Sequence, residues 1–128
     1  MVLPASMRLR GQRCFNRLHR SAKRLHGQWM VLRVIREDRS LLRPELRTMT
    51  VHRCRCAVVI SSRVSKRAVQ RNRLRRLLHG HLRTRLEARS DLAGRWVLIS
   101  LKPEALNTIP TQLLEECDSL LSTAGLGT

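Results

Sequence analysis

Apolar positions along this chain fall into two periods. Phe15, Leu18, Ala22 and Leu25 recur at helical spacing, with Cys14 beside them, while Arg13, Arg17, Arg20 and Arg24 take another face. This predicts a first helix over residues 11–24, stopped by Gly27. Trp29 to Ile35 is rich in β-formers and reads as a strand. Residues 36–50, polar and holding Pro44, read as a connection, possible as a long hairpin loop. Val51–Ser61 is the second strand: Arg53 and Arg55 alternate with His52, Cys54 and Cys56, as in a half-buried strand. Its Ala57–Ile60 end is apolar on both faces, as if covered on each side.

A second helical pattern follows, to about residue 89. Leu74, Leu77, Leu78, Leu82 and Leu86 share one face. Asn72, Arg73, Arg76 and Arg83 lie opposite, with Arg71 and Arg75 on the flank. Gly80 predicts a kink or an early end, since glycine costs about 1 kcal/mol relative to alanine in a helix. Arg89–Gly94 makes a turn, Trp96–Leu101 a third strand and Pro103–Ile109 a connector. Pro110 opens a last helix with Leu113, Leu114, Cys117, Leu120 and Leu121 on its apolar face. The order helix, strand, strand, helix, strand, helix predicts an α+β or α/β sandwich, one sheet with helices against it. With 128 residues the chain is read as one domain, with loose ends at 1–7 and 124–128.

Charge changes the picture from fold to partner. The net charge is +17, from 26 Lys and Arg against 9 Asp and Glu. Such a balance attracts polyanions, nucleic acid first and an anionic membrane second. No apolar run approaches the roughly 20 residues needed to span a bilayer. No acid precedes Glu37, and no base follows Lys102, so the last segment is expected to pack and the first three-quarters to bind. The densest stretch, Ser62 to Arg76, carries Arg63, Lys66, Arg67, Arg71, Arg73, Arg75 and Arg76 with no acid. A solvated basic face is the bland reading. The lack of interleaved acids for i,i+4 relief and the Asn72 amide between two guanidinium forks argue for a polyanion contact.

Catalytic chemistry finds little support. The nine acids form no paired motif, and none of His19, His26, His52, His79 and His81 has a partner legible in sequence. Zinc deserves a test because His52, Cys54 and Cys56 lie together and His79 and His81 follow. Cys54 and Cys56 two apart on a strand are read instead as small core residues, since structural zinc sites use wider pairs. With no secretory signal ahead of them, the four cysteines are expected to be free thiols in a reducing compartment. Aromatics are scarce: Trp96 is expected in the core, while Phe15 and Trp29 are open between core and an RNA-facing role.

The residues Ser62-Arg63 and then Ala68-Val69-Gln70-Arg71-Asn72-Arg73-Leu74-Arg75-Arg76, leaving a strand for a long helix, resemble the signature of the bacterial ribonuclease P protein subunit. The Phe15 helix, the Gln28–Leu32 strand and the Trp96–Leu101 strand followed by Lys102-Pro103 have counterparts in the same order. The resemblance covers about residues 8–123.

It implies a single-domain α+β sandwich, with one mainly antiparallel sheet, about three helices and a left-handed βαβ crossover, related to a domain of a small-subunit ribosomal protein. It implies an accessory protein of an endoribonuclease whose catalytic groups are RNA-borne. The RNA, holding most of the Mg2+, removes the 5′ leader of precursor tRNA. The implied partners are the catalytic RNA and precursor tRNA, with no membrane, no obligate protein partner, no organic cofactor, no metal on the chain and a cytoplasmic location. Ser62, Arg63, Lys66, Arg67, Arg71, Asn72, Arg73, Arg75 and Arg76 become the expected RNA contacts, and Phe15, His19 and Trp29 the expected leader cleft. Val64, Lys66 and Arg67 depart from the usual residues before the helix, so the bend there is expected to differ. His19 and Leu32 stand where the family often has aromatics, so weaker leader stacking is expected. A ribosomal protein or general RNA chaperone accounts for the charge but not for this motif. A metal-dependent nuclease would need clustered carboxylates, and DNA binding has no helix-turn-helix or zinc-finger spacing behind it.

Overall fold

Strand pairing sets the architecture. The computed structural model describes residues 3–36 and 54–126. Four strands, β1 (Lys23–His26), β2 (Met30–Arg36), β3 (Arg55–Val59) and β4 (Arg95–Leu101), form one sheet in the order β1-β2-β4-β3. β1 and β4 run antiparallel to β2, and β3 runs parallel to β4. The parallel pair is joined through helix α2 (Ala68–Leu86), which makes the βαβ unit. Helix α1 (Gln12–Ser21) precedes the sheet and α3 (Pro110–Thr123) closes the chain.

Alternation along the strands divides the core in two. Met30, Leu32 and Val34 of β2, with Cys56, Val58, Val97, Ile99 and Leu101, face α2 and α3. There they meet Leu78, Leu82, Leu86, Leu113, Cys117 and Leu121, all essentially excluded from water. On the other face Ala57, Trp96 and Leu98 meet Cys14 and Leu18 of α1, together with Leu9.

Several expectations are corrected. The first helix ends at Ser21, and residues 23–26 form β1, hairpinned to β2. Gly27 is therefore a turn residue and not a helix stop: its N–H donates to the Met30 carbonyl at 2.8 Å. A Cβ there would fall on the Glu116 carboxylate, which accepts the Trp29 N–H at 2.9 Å. Of the described part of the predicted 51–61 strand, residues 54–61, Arg55–Val59 is strand; residues 51–53 and, beyond Arg36, the expected 36–50 connection lie outside the described residues. Arg55, expected to face water, is 9% exposed, its guanidinium donating to the carbonyls of Ala5 and Arg8. That contact holds residues 3–9 against β3, although residues 1–7 read as a loose end in the sequence. Leu3 and Met7 are buried, and the Leu9 N–H donates to the Cys56 carbonyl at 2.9 Å. The far end is ordered too. The Leu126 N–H reaches the Leu121 carbonyl and the Gly125 N–H that of Ser122, with Gly125 at φ 81°. This is the left-handed glycine stop that a helix C-terminus uses to satisfy its last carbonyls, and it buries Leu126. α2 runs unbroken through Gly80, because Leu78 and Leu82 on either side are fully buried and packing outweighs the glycine penalty.

Candidate nucleic-acid interface

The basic rail begins in the loop that leaves β3. Val64, one of the departures from the resembled signature, is 3% exposed and plugs the loop into the core. Its N–H donates to the Ser61 carbonyl at 3.1 Å, which turns Ser62 and Arg63 outward. Ser65, also buried, fixes the entry to α2. Its hydroxyl accepts the Arg67 N–H at 3.1 Å and donates to Gln70 Oε1 at 2.5 Å. Its carbonyl accepts Arg71 Nη1 at 2.8 Å. Lys66 and Arg67 stay exposed at the helix start.

Burial of Leu78, Leu82 and Leu86, with Leu74 partly covered, sets the rotation of α2. Asn72, Arg73 and Arg76 then point to solvent, as the spacing predicts. The Asn72 amide oxygen accepts Arg75 Nη1 at 3.0 Å, and its carbonyl accepts Arg76 Nε at 3.4 Å, so Asn72 aims two guanidinium groups. Arg73 has no hydrogen bond or ion pair among the described residues. Arg71 differs: it is half-buried and committed to Ser65, which makes it a brace of the loop as well as a charge. Arg83 is neutralised by Glu87 at 2.6 Å and leaves the rail.

Among the described residues no carboxylate pairs with the rail between Ser62 and Arg76. α2 has no acid in its first turn, where the helix dipole already concentrates positive potential. Further along, burial first, then Arg75 and Arg8, hold the His79 imidazole below its ordinary pKa. The cationic region thus continues from α2 onto the N-terminal segment.

A second surface lies on the opposite face. α1 covers the sheet over Trp96, Leu98 and Ala57, and Phe15 is half-buried against that cluster. Beyond it the row Val31, Ser100 and Val59 is left open, with Val59 39% exposed. Val59 thus departs from the expectation of a strand covered on both sides. His19 is exposed on α1, and burial, then Arg33, push its pKa down. Arg33 of β2 stands across from Arg24 of β1, and its Nη1 donates to Ser100 Oγ at 3.4 Å.

Trp29 does not join Phe15 and His19. It sits in the β1–β2 turn and packs against the α2/α3 side of the sheet, where Glu116 holds its N–H. Leu32 also faces that side and is fully buried. The residue that faces the open row is its neighbour Arg33. Strand alternation held that signal: Met30, Leu32 and Val34 define the core face, which puts Arg33 on the other.

The remaining chemistry is structural. Cys54, Cys56 and Cys117 are buried free thiols. The hydrogen bond with Cys54, and then burial, push Cys56 well up; burial raises Cys117 to about 12. Such thiols stay protonated. His81 Nε2 meets Asp118 Oδ1 at 2.7 Å, and Arg85 Nη2 meets Oδ2 at 3.0 Å, which ties α2 to α3. No group of three His, Cys, Asp or Glu side chains is arranged to hold a metal ion among the described residues, and no helix there is long and apolar enough to cross a membrane.

The profile of the family described as Ribonuclease P matches residues 3–125. The chain is 74% identical over 127 residues, 99% of each chain, to the ribonuclease P protein component of Parasynechococcus marenigrum strain WH8102. It is 71% identical over 126 residues, 98% of each chain, to that of Synechococcus sp. strain CC9902. Its fold is similar to the solved ribonuclease P protein of Staphylococcus aureus, with TM-score 0.74 and 15% identity over 95% of this chain and 98% of that one. For the protein from Thermotoga maritima the TM-score is 0.64, with 18% identity over 89% and 94%.

Proposed function

The chain belongs to the ribonuclease P protein family, a component of the tRNA-processing enzyme, and on that premise we propose how its two surfaces divide the work. The α2 rail binds the catalytic RNA. The surface between α1 and the sheet, with Phe15 and His19, takes the unpaired 5′ leader of precursor tRNA. Cleavage is done by the RNA, and this chain supplies no reacting group.

One observation carries the reading. Arg63, Lys66, Arg67 and Arg73 stand exposed on a stretch with no acid from Ser62 to Leu86, and no carboxylate among the described residues pairs with them. Exposed guanidinium and ammonium groups and a helix N-terminus are suited to phosphate, and each phosphate neutralised releases counterions. The same donor set does not suit Mg2+, which takes oxygen ligands and is repelled by cations. We therefore assign the Mg2+ to RNA phosphates and none to this stretch. The protein's contribution is electrostatic: it lets catalyst and substrate, both polyanions, approach, and it grips an unpaired strand by charge and stacking.

Reconstitution tests this. The protein is combined with a bacterial-type catalytic RNA and precursor tRNA at limiting Mg2+. The expected result is protein-dependent leader removal at lower Mg2+, tighter binding of leader-bearing than of leaderless tRNA, and no cleavage by the protein alone. Cleavage without RNA, or equal activity with and without protein, refutes the reading.

A further inference from the structure

Arg24 and Arg33 oppose each other across the β1–β2 ladder, so their side chains share a face. Like charges placed directly opposite destabilise a sheet, and no carboxylate among the described residues pairs with either. α1 and all four strands contain no acidic residue. Arg33 Nε is buried with no hydrogen-bond partner among the described residues, and Nη1 has only a long contact to the Ser100 hydroxyl. A buried charged donor without an acceptor is costly. Burial, and then Arg24, depress the Arg33 pKa, and His19 feels Arg33 in turn. Three elements thus converge on one spot that lacks an anionic partner among the described residues.

Resting on the leader-cleft reading above, we propose that Arg24 and Arg33 form a phosphate clamp: one backbone phosphate of the unpaired RNA strand sits between the two guanidinium groups, with His19 beside it. The planar fork of Arg33 offers its idle Nε and a neighbouring N–H to two phosphate oxygens. The cleft then reads charge more than base identity. Its aromatic means are few, since Trp96 is fully buried and Trp29 packs on the far side of the sheet, which leaves Phe15. This chain should accept leaders of varied sequence, with strong dependence on salt.

The test uses the reconstituted protein–RNA complex and precursor tRNAs in which single leader phosphates are replaced by neutral methylphosphonates. One linkage should weaken wild-type binding by about tenfold. The same linkage should have no effect in Arg33→Gln or Arg24→Gln, while leaderless tRNA binds all variants equally. Arg24 is exposed, so its variant remains informative if Arg33→Gln folds poorly. The free variants should melt no lower than wild type, because a repulsion is removed. If wild type itself does not prefer leader-bearing tRNA, the leader-cleft reading fails and takes the clamp with it. If that preference holds but both variants keep it in full, or every linkage behaves alike, the clamp alone is wrong. A lower melting temperature with equal losses on leaderless tRNA would make the pair structural and overturn it.

Discussion

Arg73 and Arg71 are two residues apart in the same motif, yet the structure gives them different duties, and replacing each with Gln separates the two. Arg73 is exposed with no partner among the described residues, so Arg73→Gln should remove one phosphate contact and disturb little else. Each contact contributes about 0.7–0.9 to the slope of log K against log salt. If Arg63, Lys66, Arg67, Arg73, Arg75 and Arg76 all engage, the total slope is about −4 to −5. Arg73→Gln should flatten it by about 0.7–0.9, equivalent to about a threefold smaller loss of affinity between roughly 50 and 200 mM salt. Its melting temperature should not fall. Arg71→Gln also breaks the 2.8 Å bond to the Ser65 carbonyl, in a half-buried loop that sets the start of α2. That change should lower stability by about 1–2 kcal/mol. The fall in melting temperature would be roughly 3–8 °C. Filter binding to the catalytic RNA over a salt series, with thermal melts of the free proteins, reads both quantities. An unchanged slope in Arg73→Gln, or indistinguishable melts for the two variants, refutes the division.

Two further outcomes follow from contacts away from the rail. Gly27→Ala places a Cβ on the Glu116 carboxylate and should eject it from the Trp29 N–H, costing about 1–3 kcal/mol; a urea midpoint equal to wild type would contradict that close approach. His19 and His79 are both held below their ordinary pKa, burial being the larger cause in each. The unfolded chain therefore binds more protons below about pH 6.5, so the free protein should lose stability as pH falls from about 7.5 to 5.5. Bound RNA, by supplying counter-charge, should shrink that loss. Melts that are flat across the range, with and without RNA, would contradict it.

Much of this molecule was legible from pattern alone. The leucine repeat at Leu74, Leu78, Leu82 and Leu86 sets which side of α2 is buried, and the exposure of Asn72, Arg73 and Arg76 follows from helix geometry with no tertiary information. The Ala68–Arg76 motif, the absence of bases after Lys102 and the order of the long elements likewise depend only on local spacing. β1 was not legible. Lys23–His26 is short and polar and owes its ladder to β2, and Leu25 fits the helical stripe of Leu18 and Ala22 equally well. Nor could spacing show that Val64 is a plug, that Arg55 is buried beneath the N-terminal segment, or that Leu126 caps α3.

The cleft shows where the boundary lies. The family resemblance offered Phe15, His19 and Trp29 as one group, and helix and strand periods could not test it, because they assign residues to faces of their own element only. Which faces meet is decided by pairing between strands far apart in the chain. That pairing sends Trp29 to the α3 side and brings Arg24 and Arg33 together on the α1 side. Periodicity within an element is a property of the backbone and is written locally. Juxtaposition between elements comes from burying several apolar faces at once, so only the folded chain determines it.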